Sequence, residues 1–139
     1  RKFRMEEQVI HYCVAHGIPI IATCRGMQYI NVMFGGKLWY HPKLPVNRTR
    51  GVDHQVWLVK EQRNIWVNNY HSDCIYEEGL ASCFEPLAID RENHVVEAYG
   101  SDEMKILALQ WHPERRFETA NAYEETRKII LDFIQKYVK

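Results

Sequence analysis

Two short stretches carry residue types that could act together. The first, IATCRGMQ (Ile21 to Gln28), sets a thiol where a short apolar run gives way to a helical pattern. The second, QWHPER (Gln110 to Arg115), has an imidazole followed two residues later by a carboxylate. A cysteine at a strand-to-helix turn is held out at the carboxyl edge of a sheet, where open α/β folds present residues to a cleft. The same turn sets the sulfur at the amino end of a helix, whose free backbone N–H groups and dipole favour an anion, so a lowered thiol pKa is expected for Cys24. The N–H of Arg25 is placed to meet an oxygen on the carbon that Cys24 attacks, half of an oxyanion hole, and Gly26 is expected to allow a tight approach at the turn. Taken alone, this stretch equally describes a small buried hydrophobe, the usual fate of a free cysteine.

A base decides between the two. Seven histidines are available: His11, His16, His41, His54, His71, His94 and His112. His112 closely follows the apolar run ILAL, at the sheet edge expected to carry Cys24, and Pro113 stops that strand. Glu114 can accept a hydrogen bond from the imidazole, fix its tautomer and stabilise the imidazolium. Cys24, His112 and Glu114 thus read as nucleophile, base and orienting carboxylate.

The elements that must position these residues follow from hydrophobic periodicity. Phe3, Met5, Val9, Ile10, Val14 and Ala15 approximate one helical stripe, with Gly17 where a cap belongs. IPIIAT is continuously apolar, the pattern of a strand buried on both faces. A second helix is predicted from about Arg25 to Phe34, ending at Gly35-Gly36. The middle differs: KLWY, HQVWLV, IWVNNY, EPLAID and HVVEAYG are β-rich runs between Pro, Gly, Asn and Asp signals, predicting hairpins or a meander. KILALQW is another strand, and ANAYEETRKIILDFIQKYVK is an amphipathic helix on which Tyr123, Ile130, Leu131, Ile134 and Tyr137 can share a face. The order predicts an α/β three-layer sandwich with a mostly parallel central sheet and a small antiparallel portion, one domain over residues 1–139. Arg1 falls directly into the first helical pattern, so these residues are expected to be the C-terminal portion of a larger domain.

Composition narrows the partners. Eighteen basic residues balance eighteen acidic ones with no long run of one sign, which speaks against a nucleic acid or an anionic membrane surface and for a small-molecule or protein partner. No apolar run approaches the roughly 20 residues that span a bilayer, and the expectation is a soluble, cytoplasmic protein. Cys13, Cys24, Cys74 and Cys83 lack paired CxxC spacing and read as free thiols. His71 and Cys74 spell HxxC, but two ligands without a second pair do not make a metal site, and no metal or cofactor is expected. Trp39, Trp57, Trp66 and Trp111 read as core or pocket walls, His54 as strand packing or a cleft wall, and NRTRG (Asn47 to Gly51) as a solvated loop. Arg25 suits either a substrate carboxylate or an internal salt bridge.

ATCRGMQ and QWHPER, in this order and far apart, resemble the nucleophile elbow and the His-Pro-Glu motif of class I glutamine amidotransferases. CRGMQ is more like the γ-glutamyl hydrolase branch than the CLGMQ form of synthetase glutaminase domains, and VNNYHSDCI (Val67 to Ile75) is similar to the VNSxHxQ segment of that branch. The resemblance implies a flavodoxin-like fold and hydrolysis of a γ-glutamyl amide through a glutamyl thioester. It gives Cys24 the attack, His112 the proton transfers and Glu114 the orientation of His112. Gln28 and the Asn69, Tyr70 and His71 backbone would hold the glutamyl head group. It also implies a small γ-glutamyl substrate, with a homodimer or a synthetase partner both compatible. The sequence departs from the pattern at Ala22-Thr23, where Gly-Ile is common, and at Asn69 and Asp73, where serine and glutamine are usual. The resemblance implies that the second oxyanion donor is supplied by a family region N-terminal to these residues.

Overall fold

A computed structural model describes residues 4–42 and 49–138. Phe3 of the first predicted stripe, and Asn47 and Arg48 of NRTRG, lie outside the described residues. The elements are α1 (Arg4–Ala15), β1 (Ile20–Thr23), α2 (Arg25–Met33), β2 (His54–Leu58), β3 (Arg63–Val67), β4 (Ile75–Tyr76), β5 (Glu85–Asp90), β6 (Val95–Ser101), β7 (Ile106–Leu109) and α3 (Ala122–Tyr137). Gly17 follows α1 at φ 66° while the Ile18 N–H returns 2.8 Å to the Cys13 carbonyl, the left-handed cap that its position predicts.

The strands form one sheet in the order β1-β7-β6-β5-β2-β3, with β4 paired to β6. Helices cover both faces, so the three-layer α/β sandwich expected from the sequence is present. On one face Ile10 and Val14 of α1 and Met27 and Ile30 of α2 pack with Val96, Tyr99, Ile106 and Ala108. On the other, Phe133, Ile129 and Ile130 of α3 pack with Val56, Ile65, Leu107 and Leu109.

The sheet is mixed rather than mostly parallel. Only β1 and β7 run parallel among the described strands, and the other pairings are antiparallel. The reason lies in the connections: segments 59–62, 91–94 and 102–105 are too short for a crossover and join antiparallel neighbours, whereas β1 and β7 are separated by most of the chain. KLWY forms no strand; Trp39 alone makes a bridge, to Cys74. IPIIAT is not buried on both faces either. It forms one edge strand of the described sheet, with Ile21 39% exposed, and the strand buried along its whole length is β7.

Two helical faces also differ from the stripes read in sequence. Met5 and Val9 are exposed, and α1 packs through Ile10 and Val14. In α3, Tyr123 and Ile134 are exposed, and the inward face runs through Ala122, Thr126, Ile129, Ile130, Phe133 and Tyr137. Thr126 sits inside because its Oγ1 accepts a 3.0 Å hydrogen bond from the Trp111 indole, a polar partnership that hydrophobicity alone does not reveal. Among the described residues no helix is long and apolar enough to cross a membrane.

Candidate active site

The site begins where β1 becomes α2. Thr23 pairs with Leu109, and the N–H of Cys24 continues the ladder with a 2.7 Å bond to the Leu109 carbonyl. The carbonyl of Cys24 then accepts the Gln28 N–H at 3.2 Å, closing the first turn of α2. To belong to both elements Cys24 adopts φ 49°, ψ −110°, a strained conformation of the kind found at nucleophile elbows. The strain falls on Cys24 and not on Gly26: a Cβ at Gly26 would meet the Ala22 Cβ at 3.6 Å, an ordinary contact, so no tight approach requires glycine there.

The expected low thiol pKa is also corrected. Burial pushes the Cys24 thiol up, and although the Arg25 N–H and the charges of Arg115 and Arg50 oppose this, the net shift is upward. Helix-end and guanidinium effects are weaker here than desolvation. The resting group is therefore a thiol, and it needs a base.

His112 and Glu114 leave the carboxyl end of β7, the strand paired in parallel with β1, so they emerge at the same sheet edge as Cys24. His112 Nδ1 lies 2.7 Å from Glu114 Oε2. With a carboxylate at Nδ1, that nitrogen carries the proton and Nε2 is left to accept one. Slight burial pushes the exposed Glu114 carboxyl up, yet its own backbone N–H, His112 and Arg115 together hold it below the usual carboxylate range. The Tyr70 and His112 rings lie nearly perpendicular with centroids 6.0 Å apart, and the Arg115 guanidinium lies over the Tyr70 ring at 4.8 Å.

A cavity of about 630 Å³ opens beside Cys24, its wall including Arg25, Gln28, Tyr70, His71 and Asp73. Arg25 is exposed there, and its backbone N–H reaches the Cys24 sulfur. Tyr70 and His71 line the cavity, whereas Asn69 is buried behind it, its carbonyl accepting from Gly51 and its Nδ2 donating to Thr49. The Tyr70 carbonyl accepts from Arg50 at 3.1 Å, so the carbonyls of both Asn69 and Tyr70 are engaged within the protein. Gln28 directs its amide nitrogen inward, to the Asp73 carbonyl at 3.0 Å and to Gln110 Oε1 at 3.1 Å. The His71 ring is buried, with Nδ1 2.8 Å from the Asp73 carbonyl and Nε2 3.7 Å from Glu97, which His54 approaches at 3.6 Å from the other side. His54 is thus packing beside a buried carboxylate.

Asn68 and Gln110 escaped the sequence reading, and Asp73 entered it only as a departure from the family pattern. Asn68 grips the His112 backbone at both ends: Oδ1 accepts the His112 N–H at 3.0 Å and Nδ2 donates to the His112 carbonyl at 2.8 Å. Gln110 Nε2 faces the Cys24 sulfur at 3.8 Å. Asp73 Oδ1 accepts the backbone N–H of His41 at 2.9 Å, tying the 40–41 segment to the cavity rim. The only signal in the chain was their place within QWHPER and VNNYHSDC; nothing local says which side chain turns inward.

Residues 1–130 match the family described as glutamine amidotransferase class-I. The chain belongs to the class I glutamine amidotransferases. It is 30% identical over 132 residues to a glutamine amidotransferase-like protein of Lactococcus lactis, covering 84% of this chain and 54% of that one. It is 27% identical over 135 residues to aminodeoxychorismate/anthranilate synthase component 2 of Bacillus subtilis, covering 96% and 66%. A γ-glutamyl-CDP-amidate hydrolase of Campylobacter jejuni is 30% identical over 110 residues, covering 79% and 50%. The fold matches the crystal structure of a Thermotoga maritima glutamine amidotransferase at TM-score 0.65 and 17% identity, over 96% of this chain and 56% of that one. This amidotransferase chain thus spans between half and two thirds of the length of these relatives.

Proposed function

We propose that the protein hydrolyses a γ-glutamyl amide with Cys24 as nucleophile, through a glutamyl thioester, releasing glutamate and an amine. The observation that carries this reading is the pairing of a strained Cys24 elbow on β1 with a His112–Glu114 pair at the same edge of the adjoining parallel strand. A thiol that burial keeps protonated fits a mechanism in which a base removes the proton at the moment of attack. His112 Nε2 takes the thiol proton as sulfur bonds to the γ-carbonyl carbon. The Arg25 N–H donates to the developing oxyanion. As the C–N bond breaks, His112 returns the proton to the leaving amine. Water then gives a proton to His112 and its oxygen to the acyl carbon, the C–S bond breaks, and the thiol is restored. Glu114 holds the imidazole in the required tautomer and balances its charge in both halves.

Arg25 beside Cys24 supports the γ-glutamyl hydrolase branch, as does the likeness to a γ-glutamyl-CDP-amidate hydrolase. The likeness to a synthase component 2 supports a second reading, a glutaminase that hands ammonia to a synthetase partner. A panel of γ-glutamyl amides and free glutamine, assayed for glutamate release with the full-length protein, separates them. Release from a γ-glutamyl amide without any partner, lost in Cys24→Ala and His112→Ala, is the expected result. Activity on glutamine alone, appearing only with a synthetase present, would replace the first reading with the second. Turnover by Cys24→Ala at the wild-type rate would remove both.

A further inference from the structure

One backbone carbonyl sets the orientation of a line of side chains that ends at the nucleophile. The Asp73 carbonyl can only accept hydrogen bonds. The atom of Gln28 that lies 3.0 Å from it must therefore be Nε2, and the His71 nitrogen 2.8 Å from it must carry its proton. The second hydrogen of Gln28 Nε2 then meets Gln110 at 3.1 Å, which requires an oxygen on Gln110. With its oxygen turned to Gln28, Gln110 has only its NH₂ group left to face the Cys24 sulfur, at 3.8 Å. Gln28 is 7% exposed and Gln110 is fully buried, so neither amide has room or solvent to turn over. The far end of the line is anchored too: the His71 ring sits against Glu97, which no solvent reaches.

We propose that Gln110 is a side-chain donor to the Cys24 sulfur, holding the nucleophile at the elbow and stabilising its ionised form, and that Gln28 keeps the donor end of Gln110 turned towards it. The assignment rests on the reading of Cys24 as the nucleophile. It gives the site two donors to sulfur, the Arg25 backbone N–H from α2 and the Gln110 amide just past the end of β7. A partly buried thiolate gains more from such donors than a fully exposed one, because a hydrogen bond to a charged acceptor is stronger than a neutral one and fewer waters compete for it. It also gives Gln28 an inward role in place of, or beside, a contact with substrate.

Alkylation of Cys24 by iodoacetamide, followed by mass spectrometry of the Cys24 peptide against pH, reads the thiolate without needing a substrate. Gln110→Glu keeps the shape and the acceptor for Gln28 but replaces the donor with a negative charge, and it is expected to slow Cys24 alkylation at neutral pH by about tenfold or more and move its pH midpoint upward. Gln110→Met removes the donor without adding charge and is expected to slow it by about threefold to tenfold. Gln28→Met leaves Gln110 in place but frees its amide, with an expected slowing of about twofold to fivefold. Circular dichroism confirms which variants are folded, and any one of the three that folds suffices. Wild-type alkylation rates and pH midpoints in the folded variants would overturn the proposal. The γ-glutamyl reading fails separately, when wild-type protein alkylates at Cys24 as described yet releases no glutamate from any amide in the panel.

Discussion

The Asn68 clamp on His112 allows a sharp test. Asn68 is fully buried, and its Nδ2 faces the carbonyls of His112 at 2.8 Å and of Arg115 and Arg116 at 3.4 Å, while its Oδ1 accepts the His112 N–H at 3.0 Å. Asn68→Ala removes two good hydrogen bonds and leaves their partners unsatisfied, and each such loss costs about 1–3 kcal/mol, so a total near 3 kcal/mol is expected once water entry is allowed for. Asn68→Asp is nearly isosteric and keeps the acceptor for the His112 N–H, yet it turns a donor among three carbonyls into a negative charge. At neutral pH it is expected to lose about 1–2 kcal/mol more than Asn68→Ala. The sign with pH follows from linkage. Burial among carbonyls raises the folded pKa of the introduced carboxyl, so its penalty is absent below the unfolded value of about 3.9 and grows as pH rises towards the folded one. Urea unfolding at several pH values, each referred to wild type at the same pH, measures this; at a slope of about 2 kcal/mol/M, a loss of 3 kcal/mol moves the midpoint by roughly 1.5 M. An Asn68→Asp protein as stable as Asn68→Ala at neutral pH, or a difference between them that does not change with pH, would refute the donor assignment.

Three further outcomes are expected. A Cβ at Gly36 would lie 2.3–2.4 Å from the Asn31 side chain, which is fully buried and binds the Lys37 and Gly79 carbonyls and the Ala81 N–H, so Gly36→Ala should lower unfolding stability by about 2 kcal/mol or more in urea melts. Thr126→Val removes the acceptor for the buried Trp111 indole and should cost about 1–3 kcal/mol by the same measurement, with a change in near-ultraviolet circular dichroism. Glu114 has a lowered folded pKa, so what it contributes to stability is present above its unfolded value of about 4.3 and is lost as pH falls through the folded one. The difference between wild type and Glu114→Gln in urea midpoints should accordingly shrink on acidification, and a constant difference would contradict the His112–Glu114 interaction.

Much of the architecture was legible because local patterns coincide with the physical constraints on it. β2, β3, β5, β6 and β7 fall on β-rich runs, and α2 starts at the residue after the thiol. The errors have a common origin. The face of α3 that packs inward was misjudged because Thr126 is buried by a partner 15 residues earlier, and the exposure of Ile21 depends on what lies over that part of the sheet. The sign of the Cys24 shift was misjudged because sequence displays the helix end but not the depth of burial.

By itself the sequence determined that a thiol stands at a strand-to-helix seam and that an imidazole with a carboxylate two residues on closes another strand, since both depend on neighbours within a few residues. Only the tertiary structure decided that these two strands are parallel neighbours, that desolvation outweighs the helix end at Cys24, and that Asn68, Gln28 and Gln110 turn inward towards His112 and Cys24. Those outcomes depend on groups 44 and more residues apart meeting in a space that excludes water, where a hydrogen bond has no solvent to replace it.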